Sequence, residues 1–362
     1  MAFNFVLCLI MIFLYFIIHS SKRSTKVNDN LFLLCAFCIL FLLVAYRATN
    51  IGNDTPSYIK IFKNCAIFKW QYLNFNTRYE IGYIIINILL GYVSSKTRFF
   101  LVTTSFIFNY SIYKFVKKNS KNYLFSVIIY INLLFFYQSM TMMRQFLALS
   151  IILLSFDFVK EKKFLKYLIM VLIASSFHTT AILGIFIYPM YNMKYSNKKV
   201  FIFSIITLIA ITLLDKIFPY FAAITNRGEF YNQTIGEVKL ANIILFLIYL
   251  VFLIFSLMIV QKKEKEKNHF YLYTFVFSTL FYALSINTAV LARAGQYFAV
   301  FSIISLPNII YQNIKKRRLI FEIIISTCLI MYSSIIMIYR PEWNSAYNYK
   351  FCIQSDDCSE HK

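Results

Sequence analysis

Charge is scarce in this chain. Only 14% of its 362 residues are Asp, Glu, Lys or Arg and 60% are hydrophobic; an ordinary soluble domain carries roughly a quarter charged residues, so that class is excluded. Acids are scarcer still, 15 against 37 basic residues. The four histidines, His19, His178, His269 and His361, form no cluster at metal-ligand spacing, and Cys8, Cys35, Cys38 and Cys65 are scattered as well, which disfavours a metalloenzyme. Neither G-x-G-x-x-G nor G-x-x-x-x-G-K-[ST] occurs, so nothing supports a nucleotide-driven pump. No internal repeat or low-complexity tract stands out. The first apolar run, Phe3 to Ile18, has no basic residue before it and no small-residue cleavage pattern after it, which argues against a removed signal peptide.

What is present is a series of Phe-, Ile-, Leu- and Tyr-rich stretches separated by short basic gaps. Six gaps hold 22 of the 37 Lys and Arg residues: 22–26, 114–121, 160–166, 194–199, 262–267 and 315–318. The positive-inside rule places these gaps in the cytoplasm, where they face anionic lipid, so the net charge of +22 is no sign of nucleic-acid binding. The expected fold is an all-α polytopic integral membrane protein with about twelve spans, near 2–19, 31–46, 98–116, 122–139, 143–159, 163–177, 179–193, 199–217, 240–260, 270–288, 292–311 and 319–339. Both termini are then extracytoplasmic, the loop Ser20–Asn30 is inside, and the chain reads as one membrane domain, 1–339, with an outer tail, 340–362. Cys352 and Cys358 in that tail are positioned to pair.

Three segments depart from this plan. The apolar run 81–94 is short for a span and reads either as a re-entrant or interfacial segment or as a short crossing. The nearly continuous apolar stretch 163–193 is interrupted by Ser175, Ser176, His178, Thr179 and Thr180 and is flanked by basic residues on both sides, which predicts two short helices meeting around His178 at the outer face. Two outer loops are long, 47–80 and 218–239. In the first, Tyr58, Ile61, Phe62 and Cys65 recur at helical spacing with Lys60 and Lys63 turned partly away, the pattern of an interfacial amphipathic helix.

This topology gathers Arg47, Asp54, Glu80, Arg144, His178 and Arg293 at one depth, near the outer ends of helices. Ionisable groups there are costly and mark a site by default. Arg144 stands in an apolar helix start, Met140-Thr141-Met142-Met143-Arg144-Gln145, without a nearby acid; its planar fork suits a phosphate or diphosphate, the competing reading being a guanidinium snorkelling to headgroups. Arg293 is similar, beside Ala292, Ala294 and Gly295. Asp54 and Thr55 are placed to start a helix with Pro56 in its first turn, and Tyr58 to face back toward the site. Glu80 and His178 are alternative proton acceptors, with a structural role open for each.

At these residues the chain resembles the EpsG family of Wzy-like polysaccharide polymerases. The resemblance runs through Arg47, Asn53-Asp54-Thr55 and Tyr58; Glu80-Ile81-Gly82-Tyr83; Arg144-Gln145-Phe146-Leu147-Ala148; Phe177-His178-Thr179-Thr180-Ala181; Arg293, Tyr297 and Pro307; and Tyr349-Lys350-Phe351. It implies a cofactor-free glycosyltransferase of the bacterial cytoplasmic membrane that joins glycan units carried on undecaprenyl diphosphate at the outer face. Membrane lipids and the flippase and chain-length regulator of the same pathway are the implied partners. Catalysis would fall to Glu80, His178, Arg144 and Arg293, and substrate binding to Arg47, Asp54, Tyr58, Gln145 and Tyr297. Other readings of the same charges are a flippase or exporter of lipid-linked glycan and a surface-polysaccharide ligase or acyltransferase; the last would want an acid close to His178, and none lies within ten residues.

Overall fold

With so many apolar side chains and so few turn residues, the chain satisfies its backbone polar groups by winding into helices. A computed structural model describes residues 2–75, 79–194, 240–261, 264–286, 290–339 and 349–352, together with Ser196, Lys198, Ile202 and Ile205. In chain order the helices are α1 (Ala2–His19), α2 (Thr25–Ala45), α3 (Thr55–Phe68), α4 (Ile81–Val93), α5 (Thr97–Asn119), α6 (Tyr123–Asn132), α7 (Phe135–Thr141), α8 (Met143–Leu154), α9 (Phe156–Lys160), α10 (Phe164–Ser175), α11 (Ile187–Asn192), α12 (Leu240–Ile259), α13 (Lys265–Leu284), α14 (Val290–Ala299), α15 (Ser302–Asn313) and α16 (Arg318–Tyr339). Two 3₁₀ segments, Lys69–Asn74 and Thr179–Phe186, follow α3 and precede α11. Among the described residues the sole β contact is a bridge between Arg47 and Phe351.

Five helical stretches are long and apolar enough to cross a bilayer: Thr25–Ala45, Thr97–Asn119, Leu240–Ile259, Leu291–Asn313 (α14 and α15 taken together) and Arg318–Tyr339. The pair α6 and α7, bent by 49°, makes a sixth; Leu134, at the bend, has φ 65°, a left-handed conformation rare for a branched side chain. The protein is therefore an all-α multi-pass membrane protein with five or six candidate spans among the described residues. The expected span 199–217 and the loop 218–239 lie outside the described residues. The second helix begins at Thr25, inside what reads as a cytoplasmic loop, because its polar first turn is tied back to α1: Ser21 Oγ donates to Asn28 Oδ1 at 3.0 Å, and His19 Nε2 lies 3.0 Å from Asp29 Oδ1.

The chain forms two compact units. The first comprises Met1–Asp157, Leu165–Ile182 and Arg317–Lys362. A buried polar node joins its helices: Asn4 Nδ2 donates to Asn132 Oδ1 (3.1 Å) and Ser333 Oγ (2.8 Å), and the Tyr137 hydroxyl donates to Asn4 Oδ1 (2.9 Å). Such bonds hold α1, α6, α7 and α16 together where hydrophobicity gives no preference for protein over lipid. The second unit comprises Phe158–Phe164 and Leu183–Lys316. There Tyr249 of α12 stacks on Tyr282 of α13 at 5.1 Å and donates to the Ala299 carbonyl of α14 at 3.2 Å.

Within the first unit, the segment from 46 to 96 leaves and rejoins the bundle at one place, since Arg98 Nη1 at the start of α5 donates to the carbonyls of Ala45 (2.8 Å) and Arg47 (2.9 Å) at the end of α2. Its helices are short: the 13 residues of α4 extend about 20 Å, against a hydrocarbon core of about 30 Å. Helix α3 buries Tyr58, Ile61, Phe62 and Cys65 and exposes Lys60 and Lys63, the amphipathic division expected of it. Tyr58 meets Tyr83 at 5.7 Å near the N-terminal ends of α3 and α4, while Ala66 packs on Gly91 near their C-terminal ends. The two helices thus run parallel. Lys69 Nζ closes the far end on the Gly91 carbonyl at 2.5 Å.

Candidate functional site

Three chain breaks converge at the N-terminal end of α4. One is the start of α4 itself, preceded by Glu80 in extended conformation. The second is the α7–α8 junction at Met142, which puts Arg144 in the first turn of α8. The third is the polar interruption after α10, where Ser176 to His178 separate an α-helix from a 3₁₀ turn, as the run of Ser, His and Thr predicts. Gly82 lets the first and third meet: its amide donates to the Ser176 carbonyl at 2.8 Å, and a Cβ at this position would lie 2.2 Å from Ser176 Oγ and 2.8 Å from that carbonyl oxygen.

The contact aligns Glu80 with its partners. Glu80 Oε2 accepts a hydrogen bond from Arg144 Nη1, 64 residues away, and forms an ion pair with it. Glu80 Oε1 accepts from Thr179 Oγ1 at 3.0 Å and lies 3.7 Å from His178 Nδ1, an ion-pair distance but longer than a hydrogen bond. Side-chain exposure is 9% for Glu80, 15% for Arg144 and 9% for His178, so the cluster is largely shielded from solvent. Burial by itself raises a carboxyl group's proton affinity, but the Arg144 guanidinium, with His178 and the Thr179 hydroxyl, outweighs it and holds Glu80 below the ordinary carboxylate range. The Arg144 guanidinium also lies 4.8 Å from the ring centre of Tyr79 and 6.0 Å from that of Tyr58. Its Nε–H is buried and has no hydrogen-bond partner among the described residues.

Of the residues expected to act together, the fold thus joins Glu80, Arg144, His178 and Tyr58, and Gln145 follows Arg144 in the buried part of α8. The acid missing from the sequence neighbourhood of His178 is Glu80. Asp54 stands as the N-cap residue of α3, with Pro56 in the first turn and without a capping hydrogen bond from its side chain. Arg47 is fully buried and donates to main-chain carbonyls of Val44, Ile51 and Met140. Arg293 and Tyr297 lie on α14 of the second unit, Arg293 partly exposed and Tyr297 buried. Two contributors carry no site role in the sequence alone: Tyr79, and Thr179, which is legible there only as part of the polar break and of the motif around His178. Each adjoins a candidate site residue, Glu80 and His178 respectively, and that adjacency is the available signal.

These features define a multi-pass membrane protein with an occluded carboxylate–guanidinium–imidazole cluster. The family model described as EpsG family matches residues 30–351, and the chain belongs to that family. Membership places it among the Wzy-like membrane proteins of polysaccharide biosynthesis and implies a glycosyltransferase-like activity. No curated protein and no solved structure matches the chain.

Proposed function

We propose that the protein lengthens a glycan carried on undecaprenyl diphosphate at the outer face of the bacterial cytoplasmic membrane, transferring the growing chain to a hydroxyl of the incoming lipid-linked unit. The observation that carries this reading is the Glu80 carboxylate held between Arg144 and the His178–Thr179 turn in a shielded cluster. In the reaction the bond from the anomeric carbon to the diphosphate breaks as one to the acceptor oxygen forms. Arg144, with a donor to spare at Nε, would stabilise the charge growing on the departing diphosphate, an interaction stronger in the transition state than in the ground state. A carboxylate already neutralised by a guanidinium is a weak base, so the acceptor proton is assigned to His178, with Glu80 stabilising the imidazolium. The lipid diphosphate is itself the activated donor, and no nucleotide sugar is required. Twelve crossings with both termini outside, in a single membrane domain with an outer tail, complete the proposed arrangement.

The test is conversion of purified undecaprenyl-diphosphate-linked repeat units into a ladder of longer lipid-linked chains by protein in liposomes, without nucleotide sugar. Growth should slow by roughly 10²–10³ in Arg144→Lys. If folded wild-type protein makes no ladder but moves the unit between leaflets, a flippase replaces the polymerase. The His178–Glu80 pair would also suit acyl transfer to a surface sugar, which needs an acyl donor and leaves chain length unchanged; the ladder separates the two.

A further inference from the structure

Arg47 and the C-terminal segment Tyr349–Cys352 meet where a helix ends inside the first unit. The last carbonyls of a helix have no partner within it and must find one elsewhere. At the end of α2 each is accounted for. The Tyr349 hydroxyl donates to the Leu43 carbonyl. Arg47 Nη1 donates to Val44 at 2.5 Å, and Arg98 takes Ala45 and Arg47. The Cys352 amide donates to Tyr46 at 2.7 Å, and the Ala48 amide returns a bond to the Lys350 carbonyl at 3.0 Å. Phe3 of α1 stacks on the Tyr349 ring at 4.5 Å. Cys352 is disulfide-bonded, and its expected partner, Cys358, lies outside the described residues.

The same node reaches the α7–α8 junction. Arg47 Nη2 lies 3.5 Å from the Met140 carbonyl and 3.7 Å from Met143 Sδ. Thr55 Oγ1 donates to the same Met140 carbonyl at 2.9 Å. Gly52, with φ 89°, brings its backbone against that oxygen so closely that a Cβ would lie 2.4 Å from it. Met140 and Met143 flank the break at Met142, from which α8 sets out with Arg144 as its second residue.

We propose that Arg47 and the segment Tyr349–Cys352 form a strap that fixes the α7–α8 break and thereby aims Arg144. Arg47 is a positioning residue, with its guanidinium engaged by main-chain oxygens and a thioether, and not a contact for substrate. The role of Arg144 in this statement rests on the polymerase reading; the mechanical link does not.

Two measurements decide it. Arg47→Lys keeps the charge and loses the fork, and a misplacement of about 1 Å at Arg144 should lower ladder turnover on the order of 10²-fold. If Arg47 acts through Arg144, the same change should cost little further in an Arg144→Lys background; equal losses in both backgrounds would mean direct substrate contact and overturn the strap. Independently of activity, amide hydrogen exchange at residues 140–146 should rise in Tyr349→Phe and rise more when residues 349–362 are deleted. Unchanged exchange there, with faster exchange confined to residues 46–48, would refute the link even in a protein that makes no ladder. Should the deletion fail to reach the membrane, Tyr349→Phe and Arg47→Lys carry the exchange test alone.

Discussion

Gly82→Ala is the smallest change that should disturb the site without touching any charged group. The added methyl would lie 2.2 Å from Ser176 Oγ, 2.8 Å from Ser176 O and 2.9 Å from Ser176 C, so main chain must move and a rotamer change cannot absorb it. Overpacking of this kind costs about 1–3 kcal/mol, and replacing Gly by Ala inside a helix returns about 0.5–1 kcal/mol. At the middle of both ranges the net is a loss of about 1 kcal/mol, or a fall in Tm of about 2–4 °C by the scaling for domains of 150–250 residues. Displacing residues 176–179 also carries Thr179 and His178 away from Glu80, so ladder growth should fall further than the stability loss explains, on the order of 10²-fold for about 1 Å. Differential scanning of detergent-solubilised protein gives the first quantity and the liposome assay the second. Gly82→Ala with Ser176→Ala removes the nearest obstacle, the hydroxyl, but leaves the main-chain clash, so rescue should be partial. Wild-type Tm and activity in Gly82→Ala would refute the claim that this contact aligns the cluster.

Further outcomes are expected. Because the folded-state pKa of Glu80 lies below its unfolded value, its contribution to stability is complete above the unfolded value and is lost as pH falls through the folded one; thermal midpoints below about pH 4 should decline less steeply in Glu80→Gln than in wild type. Arg144→Lys should lower turnover by roughly 10²–10³ while membrane insertion persists, since the charge stays and the bidentate fork goes. Arg293→Lys should show the same pattern, and unaltered activity would remove Arg293 from catalysis. After replacement of native cysteines, an impermeant reagent applied to intact cells should label a cysteine placed at Lys60 and spare one at Lys265; labelling at 265 before lysis would invert the orientation.

How much of this was legible beforehand depended on whether the signal was local. The amphipathic spacing of Tyr58, Ile61, Phe62 and Cys65 is a local pattern, and α3 buries those side chains. The polar run from Ser175 to Thr180 marks a break, and α10 ends at Ser175. By contrast, nothing local indicates that α3 and α4 run parallel, because their direction is set by the return of the chain through Lys69–Asn74 and by the Ala66–Gly91 contact. At the start of α2 the basic flank and polar residues 26–30 have the local pattern of a loop, yet Asn28 is buried against Ser21. Glu80 and Thr179 are 99 residues apart, and only the fold brings them within hydrogen-bond distance. Arg47 stands beside a polar motif in the sequence, but only the fold shows its guanidinium donating to the carbonyls of Val44 at the end of α2, Ile51 in the following loop and Met140 of α7.

In the proposed function the shielded cluster of Glu80, Arg144 and His178 performs glycosyl transfer with His178 as proton acceptor. Its most direct test is the initial rate of ladder growth at saturating lipid-linked unit for wild type, His178→Ala and Glu80→Gln, each shown to be folded by its thermal transition. Turnover should fall by roughly 10²–10⁴ in His178→Ala and by less in Glu80→Gln. Wild-type growth in His178→Ala, alongside a ladder abolished in Glu80→Gln, would contradict it and move the proton to Glu80.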